Sequence, residues 1–581
     1  MNVKTGFSSW IPLPLLACGL LLPGWPGTPE ATTDEVISLL APPQGVESPS
    51  LETSPSSTPS LPAAAIPGPS QVRDAAALGG DLLRMVQGPG WRTAEWGVLA
   101  VSLERGDTLF ALNAHTPLAP ASNLKLFTSA AALEELGPGF RFPTFLLADG
   151  EIRDGVLHGD LILYGTGDPT LGRGQRAEAP EGAFATFLES LRAWGIHEVR
   201  GAVVGDGTFF QGDPRRPSWN PRDLNDWFAA PSSALSFNEN MVTLQVSPGP
   251  TTGSPARIRM QPQGASVPIR NMGLTVDRAP APGLLLVRND PDEVIEIRGE
   301  IRRNGQDVWR SLTVSDPPAY AAGFLRQVLV HGGIAVTGPA RSAALEPASA
   351  QRVTGRLLAA PAFGEKGAPR TVAVHHSPPV SEIVEVVNKR SHNLYADLLL
   401  FTLGHLREGD PTFEGGARAL TAYLVDEVGI REDHLHIEDG SGLSRLNRSS
   451  PAALVRLLEH MDRRPVAEAF WASLPEAGNR RELRRMDRTP AAQNLRAKTG
   501  TIHRTSALSG IVRTVDGEAI LFSVMANNVP SPWAAKQVED RIGVRLASFA
   551  RSWDALPDDI LPEDPVDPRR TGSGDRTGLH R

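Results

Sequence analysis

Residues 122–136 read SNLKLFTSAAALEEL, and their apolar spacing and good helix formers predict a helix that begins at Ser122. Gly137 and Pro138 follow directly and predict where it ends, since glycine caps a helix and proline cannot continue it. Upstream, WGVLAV (96–101) has the continuous apolar pattern of a buried strand, and TLFAL (108–112) follows after an Arg-Gly-Asp turn, so the two segments predict a hairpin. A strand pair therefore leads into the helix.

The composition of the whole chain excludes several classes of protein. Its 581 residues, 41% hydrophobic and 21% charged, provide enough apolar side chains for several packed domains. The formal net charge of −8 argues against a general nucleic-acid binder. Cys18 is the only cysteine, so an intramolecular disulfide and a cysteine-ligated zinc site are excluded.

Both ends of the chain differ from its middle. Residues 10–25 form an apolar stretch after Lys4 that is too short for a membrane span, so residues 1–30 are interpreted as an export signal. The tetrapeptide LLAC ending at Cys18 leaves lipidation and peripheral membrane attachment open as an alternative to ordinary cleavage. Residues 31–72, rich in Pro, Ser and Ala, predict a disordered linker, and residues 557–581 predict a disordered tail.

The predicted secondary structure changes along the folded part of the chain. Between residues 141 and 364, short β-rich runs such as GVLHGDLILYG and EVIEIRGEI predict one or two small β-containing domains. Helical patterns return over residues 381–406, 419–429 and 450–461, and residues 507–528 predict a final hairpin. The two ends therefore build one mixed α and β domain around an insertion.

Ser122 and Lys125 are the first pair of residues whose side chains could act together in catalysis. Three residues apart at a helix start, their side chains lie on one face. A serine hydroxyl attacks well only when a base takes its proton, and lysine is such a base only when neutral. Lowering a lysine pKa from about 10.4 to 7 or 8 takes roughly 4 kcal/mol from burial and neighbouring charge. Arginine does not deprotonate in proteins, so it could not replace Lys125.

The triplet Ser391-His392-Asn393 lies in the returning helical region. Its hydroxyl could relay a proton, and its amide could hold a substrate amide. The same pattern occurs at Ser236-Phe237-Asn238, so the triplet alone identifies nothing.

Lys498-Thr499-Gly500 stands where a strand is predicted to begin, just before the final hairpin. Lysine offers a cation to a carboxylate, threonine offers a hydroxyl, and glycine lets a substrate approach the backbone closely. Lys4-Thr5-Gly6 in the predicted signal shows that this tripeptide also arises by chance.

The order of the three motifs is more specific than any one of them. A Ser-x-x-Lys at a helix start, then Ser-x-Asn, then Lys-Thr-Gly on a strand is the signature of penicillin-recognising serine enzymes. From about residue 90 to 530 the chain resembles the D-alanyl-D-alanine carboxypeptidase/endopeptidase family, the low-molecular-mass class C penicillin-binding proteins. The segments that carry the resemblance are LFALNAHTPLAPASNLKLFTSAAAL, YGTGDPTL, PSSALSFNENMV, VVNKRSHNLYADLLL, EDGSGLSRLNRSSP, LRAKTGTI and SALSG.

The resemblance implies a fold of mixed α+β or α/β class. It consists of a serine β-lactamase/transpeptidase-like domain, an antiparallel sheet flanked by helices, with two inserted β-containing domains. The implied ranges are 73–140 and 375–556 for the discontinuous peptidase domain, 141–236 and 330–374 for inserted domain II, and 237–329 for inserted domain III.

The resemblance also implies roles for particular residues. The catalytic side chains would be the nucleophile Ser122, its general base Lys125 and the proton-relaying Ser391. Substrate contacts would come from Asn393, Lys498, Thr499, Thr501 and, from the inserted region, Asp168. The backbone N–H groups of Ser122 and Thr501 would form the oxyanion hole. No role follows for His392.

The implied function is an exported, penicillin-sensitive serine D-alanyl-D-alanine carboxypeptidase or endopeptidase, located in the periplasm or cell envelope. It would cut peptidoglycan stem peptides or crosslinks through an acyl-enzyme, with β-lactams as inhibitors and no nucleic-acid partner. Alternatives are a β-lactamase or esterase of the same fold, and a non-catalytic cell-wall binding protein. The sequence leaves oligomeric state and the preference between the two cuts open.

No metal or cofactor is implied. His434 and His436 could share a strand face, but a solvated loop or strand is the better interpretation of their acidic surroundings. His375 and His376 are neighbours on a predicted strand and therefore point to opposite faces. Gly165-Thr166-Gly167 lacks the glycine spacing and following helix of a dinucleotide-binding loop.

Overall fold

The structure is a computed structural model that describes residues 75–172, 182–263, 267–278, 283–288, 294–342 and 369–551. The predicted export signal with Cys18, the predicted linker over 31–72 and the predicted tail over 557–581 lie outside the described residues. Among the helices in the described ranges, none is long and apolar enough to cross a membrane.

The elements are numbered here in chain order. The strands are β1 (Glu95–Ser102), β2 (Thr108–Leu112), β3 (Pro143–Arg153), β4 (Val156–Tyr164), β5 (Glu198–Val199), β6 (Val203–Asp206), β7 (Met241–Ser247), β8 (Arg257–Gln261), β9 (Ile269–Val276), β10 (Leu284–Val287), β11 (Ile295–Arg302), β12 (Val308–Thr313), β13 (Ala335–Val336), β14 (Ala340–Ser342), β15 (Arg370–His376), β16 (Leu435–His436), β17 (Arg448–Ser449), β18 (Arg496–Ile502), β19 (Thr505–Arg513) and β20 (Ala519–Asn527). The α-helices are α1 (Ala75–Val86), α2 (Lys125–Glu135), α3 (Gly182–Ala193), α4 (Pro317–His331), α5 (Val380–Lys389), α6 (Asn393–Glu408), α7 (Phe413–Ala422), α8 (Pro451–Asp462), α9 (Ala467–Ala472) and α10 (Pro532–Ala547).

A five-stranded antiparallel sheet joins the two ends of the chain. Its order is β18-β19-β20-β1-β2, so the last hairpin pairs with the first through β20 and β1. Both predicted hairpins, β1-β2 and β19-β20, are confirmed. The domain is therefore closed by strands that are more than 400 residues apart in sequence, opposite each other at Val98 and Val524.

Helices cover both faces of this sheet, because apolar side chains extend from both faces. Val98 and Phe522 belong to the core that α1 and α10 close from one side. Leu521 and Met525 belong to the core on the other side, which helices α2 and α5 to α9 build. Since side chains along a strand point alternately to opposite faces, strands buried on both faces read as continuous apolar runs. The predicted antiparallel sheet flanked by helices is confirmed.

The inserted region holds the remaining larger sheets. A seven-stranded sheet has β13-β5-β4-β3-β15 as its main path, with β6 bonded to β4 and β14 to β6. Two three-stranded sheets, β10-β11-β9 and β12-β7-β8, lie between β6 and α4 in sequence. These sheets agree with the predicted β-containing insertions.

Helix α4 suggests a different boundary between the inserted domains. The predicted boundary between domains III and II follows residue 329. Helix α4 starts before that residue, since its N-cap Asp316 accepts a hydrogen bond from Ala319 N, so the predicted boundary would cut the helix. Its side chains Tyr320 and Phe324 share a core with the seven-stranded sheet, and a Cβ on Gly205 of β6 would lie 2.0 Å from Pro318 O. We propose that domain III ends before α4, and that β15, which contains residue 375, belongs wholly to domain II.

Candidate active site

Ser122 lies in the connection between β2 and α2, in a short 3-10 turn (Ala121–Leu124) rather than in the first turn of the α-helix. The α-helix begins at Lys125, three residues after the predicted start, and Ala121 in front of Ser122 has a left-handed φ of 47°. Side chains from the sheet fix this turn. Asn527 Oδ1 accepts from Ala119 N (2.8 Å), and Asn123 Nδ2 donates to Ser509 Oγ (2.7 Å).

Two glycines let other segments approach the turn closely. A Cβ on Gly500 of β18 would lie 2.8 Å from Pro120 O. A Cβ on Gly442, whose φ is +80°, would lie 1.9 Å from Ala121 O. Any side chain at these positions would push β18 or the loop of Gly442 away from Ser122. The glycine of the Lys-Thr-Gly motif therefore has a packing role in bringing β18 against Ser122.

Lys125 is fully buried, and its Nζ contacts three oxygen atoms. It lies 3.0 Å from Ser122 Oγ, 2.6 Å from Asn393 Oδ1 and 2.5 Å from Ser441 O. The amide and backbone oxygens can only accept hydrogen bonds, whereas a hydroxyl can also donate. A neutral Nζ that donates its two hydrogens to those carbonyls therefore turns its lone pair toward the Ser122 hydroxyl. This is the geometry that a general base requires.

The surroundings of Lys125 favour the neutral amine. Burial lowers the pKa of Lys125 to about 8, against the attraction of Asp397 and Asp439, which favours the charged form. A substantial fraction of Lys125 is thus neutral near physiological pH, unlike an exposed lysine.

Asp397 and Asp439 are site residues that the sequence analysis missed. Asp397 Oδ1 accepts from Gly440 N (2.9 Å) and Asp439 Oδ1 accepts from Gly442 N (2.7 Å), so the two carboxylates shape the loop that presents Ser441 O to Lys125. Burial and the neighbouring Asp439 raise the pKa of Asp397 well above its ordinary value. The available signal was helical spacing: Asp397 follows Asn393 by one turn of α6, on the same face.

Lys498 lies on β18, at the edge of the five-stranded sheet. Its buried Nζ donates to Ser391 Oγ (2.9 Å) and to Thr499 O (2.7 Å), and neither partner is a carboxylate. Burial and the nearby charge of Lys125 hold the pKa of Lys498 well below its ordinary value. Thr499 is half-buried and Thr501 is exposed, because alternate residues of the strand face the open side.

The Ser391 triplet lies at a break between α5 and α6 rather than inside a helix. Ser391 has a left-handed φ of 54°, which ends the helical run, and Asn393 begins α6. Asn393 Nδ2 donates to Phe228 O of the inserted region (2.7 Å), while Oδ1 accepts from Lys125. An amide has two N–H groups and two lone pairs, so these two contacts use only one of each.

Asp168, the site residue predicted in the inserted region, bonds to its own segment. It follows β4, and its side chain is 2% exposed. Oδ1 accepts from Thr170 N (2.8 Å) and Thr170 Oγ1 (2.7 Å), and Oδ2 lies 3.9 Å from His375 Nε2. Burial raises the pKa of Asp168. Its contact with substrate stays a prediction.

His434 and His436, which were set aside as metal ligands, differ in burial. His434 Nδ1 is 3.0 Å from Ser450 Oγ, the N-cap of α8, while His436 is exposed. Within the described ranges, no three His, Cys, Asp or Glu side chains are grouped so that they could hold a metal ion.

Comparisons with known proteins agree with this arrangement. Residues 79–549 match the D-Ala-D-Ala carboxypeptidase 3 (S13) family. A D-alanyl-D-alanine carboxypeptidase of Actinomadura sp. (strain R39) is 31% identical over 81% of this chain and 84% of its own length. The crystal structure of penicillin binding protein 4 from Haemophilus influenzae superposes with a TM-score of 0.66 at 24% identity, covering 81% of this chain and 99% of that one. A structure of that protein complexed with a β-lactam gives a TM-score of 0.61 at 22% identity over the same shares.

The family match spans both the sheet with its Ser122 turn and the inserted region, so the resemblance seen in the motifs extends over nearly all of the described chain. The two structural superpositions confirm the fold class. This chain therefore belongs to the D-Ala-D-Ala carboxypeptidase 3 (S13) family and is a serine-type D-alanyl-D-alanine carboxypeptidase.

Proposed function

We propose that the enzyme hydrolyses peptidoglycan stem peptides through an acyl-enzyme on Ser122, and that β-lactams block it by acylating the same oxygen. The observation that carries this proposal is the contact between Lys125 Nζ and Ser122 Oγ, with the two other neighbours of Nζ restricted to accepting hydrogen bonds. Such an arrangement fixes the direction of the lysine lone pair before substrate binds, so little reorganisation accompanies the proton transfer.

Acylation begins when neutral Lys125 takes the proton of the Ser122 hydroxyl. Oγ then attacks the carbonyl carbon of the D-Ala–D-Ala bond, and the backbone N–H groups of Ser122 and Thr501 hold the oxygen that becomes negative. Ser391 gives its hydroxyl proton to the departing D-alanine nitrogen, the proton that Lys125 took from Ser122 replaces it, and the peptide bond breaks. Water then hydrolyses the ester, which returns Ser122 to its hydroxyl form.

Lys498 supports recognition of a free chain end. Its buried Nζ donates only to a hydroxyl and a backbone carbonyl among the contacts above, so its charge has no carboxylate partner there. A substrate carboxylate beside Thr499 would provide the opposite charge, and it would also oppose the effect of burial on the lysine pKa. We propose that Lys498 and Thr499 bind the carboxylate of the terminal D-alanine, while Asn393 holds the peptide amide.

The substrate preference can be tested with purified protein. Incubation with a stem pentapeptide is expected to release the terminal D-alanine, which mass spectrometry detects as a tetrapeptide product. Crosslinked muropeptides in a parallel reaction show whether the enzyme also opens crosslinks. Penicillin should form a stable adduct, whereas rapid turnover of penicillin would indicate the β-lactamase alternative. A folded preparation that produces neither peptide product nor adduct would favour the non-catalytic binding protein.

The location of the substrate supports export. Peptidoglycan lies outside the cytoplasmic membrane, and residues 1–30 have the charge and apolar length of an export signal. We propose that the enzyme works in the periplasm or cell envelope.

The rate of acylation should depend on pH through Lys125. Since only the neutral amine accepts a proton, and the pKa of Lys125 is about 8, acylation at saturating penicillin is expected to rise from pH 6 to pH 9 and level off above this pKa. Labelling with fluorescent penicillin at each pH measures the rate, and circular dichroism of the same samples checks the fold. A rate that is flat or falls over this range in folded protein would contradict the role of Lys125.

A further inference from the structure

The inserted region contacts the Ser391 turn through a buried glutamate. Glu239 is 1% exposed, and its carboxylate reaches both residues that flank Ser391. Oε1 accepts from Arg390 Nη1 (3.1 Å), and Oε2 lies 3.3 Å from His392 Nε2. The two oxygens of this carboxylate thus contact the residues on either side of Ser391. The mechanism described above does not use this group.

Glu239 is held rigidly in an unfavourable backbone conformation. Asn238, Glu239 and Asn240 have φ values of 51°, 56° and 55°, and three consecutive non-glycine residues in the left-handed region persist only when their surroundings impose it. The two flanking amides supply that constraint. Asn238 Nδ2 donates to Met241 O (2.7 Å), and Asn240 Nδ2 donates to Pro231 O (2.9 Å). These hydrogen bonds therefore hold the backbone at Glu239 in one position.

The turn that Glu239 contacts is itself strained and chemically important. Ser391 has φ +54°, an unfavourable value for a serine, so its position depends on external contacts. Its Oγ accepts from Lys498, and Asn393 Oδ1 accepts from Lys125 at the other end of the triplet. A small movement of the turn would displace the partners of both lysines at once.

His392, to which the sequence assigned no role, connects the inserted region with the Ser391 turn. Its ring is 2% exposed and packs at a tilt against Tyr395 of α6, 4.3 Å away between ring centroids, with Trp227 of the inserted region at 6.1 Å. Burial lowers the pKa of His392, against the attraction of Glu239. A neutral imidazole can still offer an Nε2–H to Glu239, so the contact does not depend on a buried positive charge.

We propose that Glu239 is a positioning residue for acylation: it fixes the Ser391–Asn393 turn through Arg390 and His392, and thereby makes the inserted region part of the catalytic apparatus. This inference rests on the proposed roles of Ser391, Asn393 and Lys125. It also gives the insertion a function in the chemical step, in addition to any role in binding the substrate.

The Glu239→Gln variant tests the inference, because it keeps the side-chain shape but replaces one of the two acceptor oxygens by an NH2 group, which cannot accept from Arg390 or His392. The acylation rate constant at saturating penicillin is expected to fall about 10- to 100-fold, the cost of misplacing reacting groups by roughly 1 Å. The dissociation constant of the initial complex should change less than about 3-fold, since the displaced groups act on the chemical step. A loss of stability alone would lower the yield of active enzyme without producing this split. Glu296→Gln, which removes a surface partner of Arg270 in the inserted region, is the matched control and should acylate at the parent rate.

The outcomes separate this inference from the proposed function. If the parent is acylated and Glu239→Gln is acylated equally fast, the positioning role is wrong and the function stands. If the parent itself is not acylated, the proposed function fails. Should Glu239→Gln not fold, Arg390→Met and His392→Leu each remove one contact of the glutamate. Slower acylation in either would support the role, and parent rates in both would overturn it.

Discussion

The Ser122→Ala protein is expected to bind penicillin reversibly and to form no covalent adduct, because the oxygen that accepts the acyl group is missing. Hydrolysis of the stem pentapeptide should fall on the order of a million-fold, as for loss of a nucleophile in other serine hydrolases. The rest of the site should persist, since Lys125 keeps its bonds to Asn393 Oδ1 and Ser441 O. Intact-protein mass spectrometry after exposure to penicillin measures the adduct directly.

Ser129→Ala provides the control for this experiment. Ser129 lies on α2, one turn beyond Lys125, and is also buried, with its Oγ donating to Asn388 Oδ1 (3.3 Å). The substitution removes a hydroxyl from the same helix without touching Ser122 or the lysine, so the adduct should form as in the parent. An adduct that persists in Ser122→Ala would place the nucleophile elsewhere, and digestion of the labelled protein would locate it.

Features encoded by neighbouring residues could be predicted from sequence. The hairpins β1-β2 and β19-β20 follow from continuous apolar runs on either side of short turns, and both form as expected. The spacing of Ser122 and Lys125 was enough to place their side chains together, even though the turn between them is a 3-10 helix. A three-residue separation brings two side chains to one face in either kind of helix.

Features that depend on distant segments could not be predicted. The loop that carries Asp439 and Ser441 approaches Lys125 only because Gly442 permits contact with Ala121 O, and sequence spacing gives no measure of that approach. The left-handed φ of Ser391 likewise depends on contacts with Lys498 and the inserted region. The burial of Asp168 and its bond from Thr170 N likewise could not be read from the motif that singled the residue out.

The Lys125→Arg protein is expected to keep its charge and lose acylation. Arginine remains protonated in proteins, so it cannot take the proton of the Ser122 hydroxyl. Loss of general base catalysis should lower the acylation rate by about 100- to 10,000-fold. The guanidinium would also be larger than the space in which Nζ contacts three oxygens at 2.5 to 3.0 Å. Fluorescent-penicillin labelling measured from pH 6 to 10 follows the rate.

Lys389→Arg is the matched control, because Lys389 pairs with Glu385 (2.5 Å) and Glu482 (3.2 Å), where arginine can replace lysine as a cation. This variant should be labelled like the parent.

The pH profile of Lys125→Arg then distinguishes a missing base from a displaced nucleophile. If the base is missing, Lys125→Arg should show no rise in rate through pH 8, since arginine stays protonated over this range. If Ser122 were only displaced and a base still worked, the variant would react slowly but would follow the pH profile of the parent. Labelling of folded Lys125→Arg at the parent rate would show that Lys125 acts only as a charge, and the proton of Ser122 would need another acceptor.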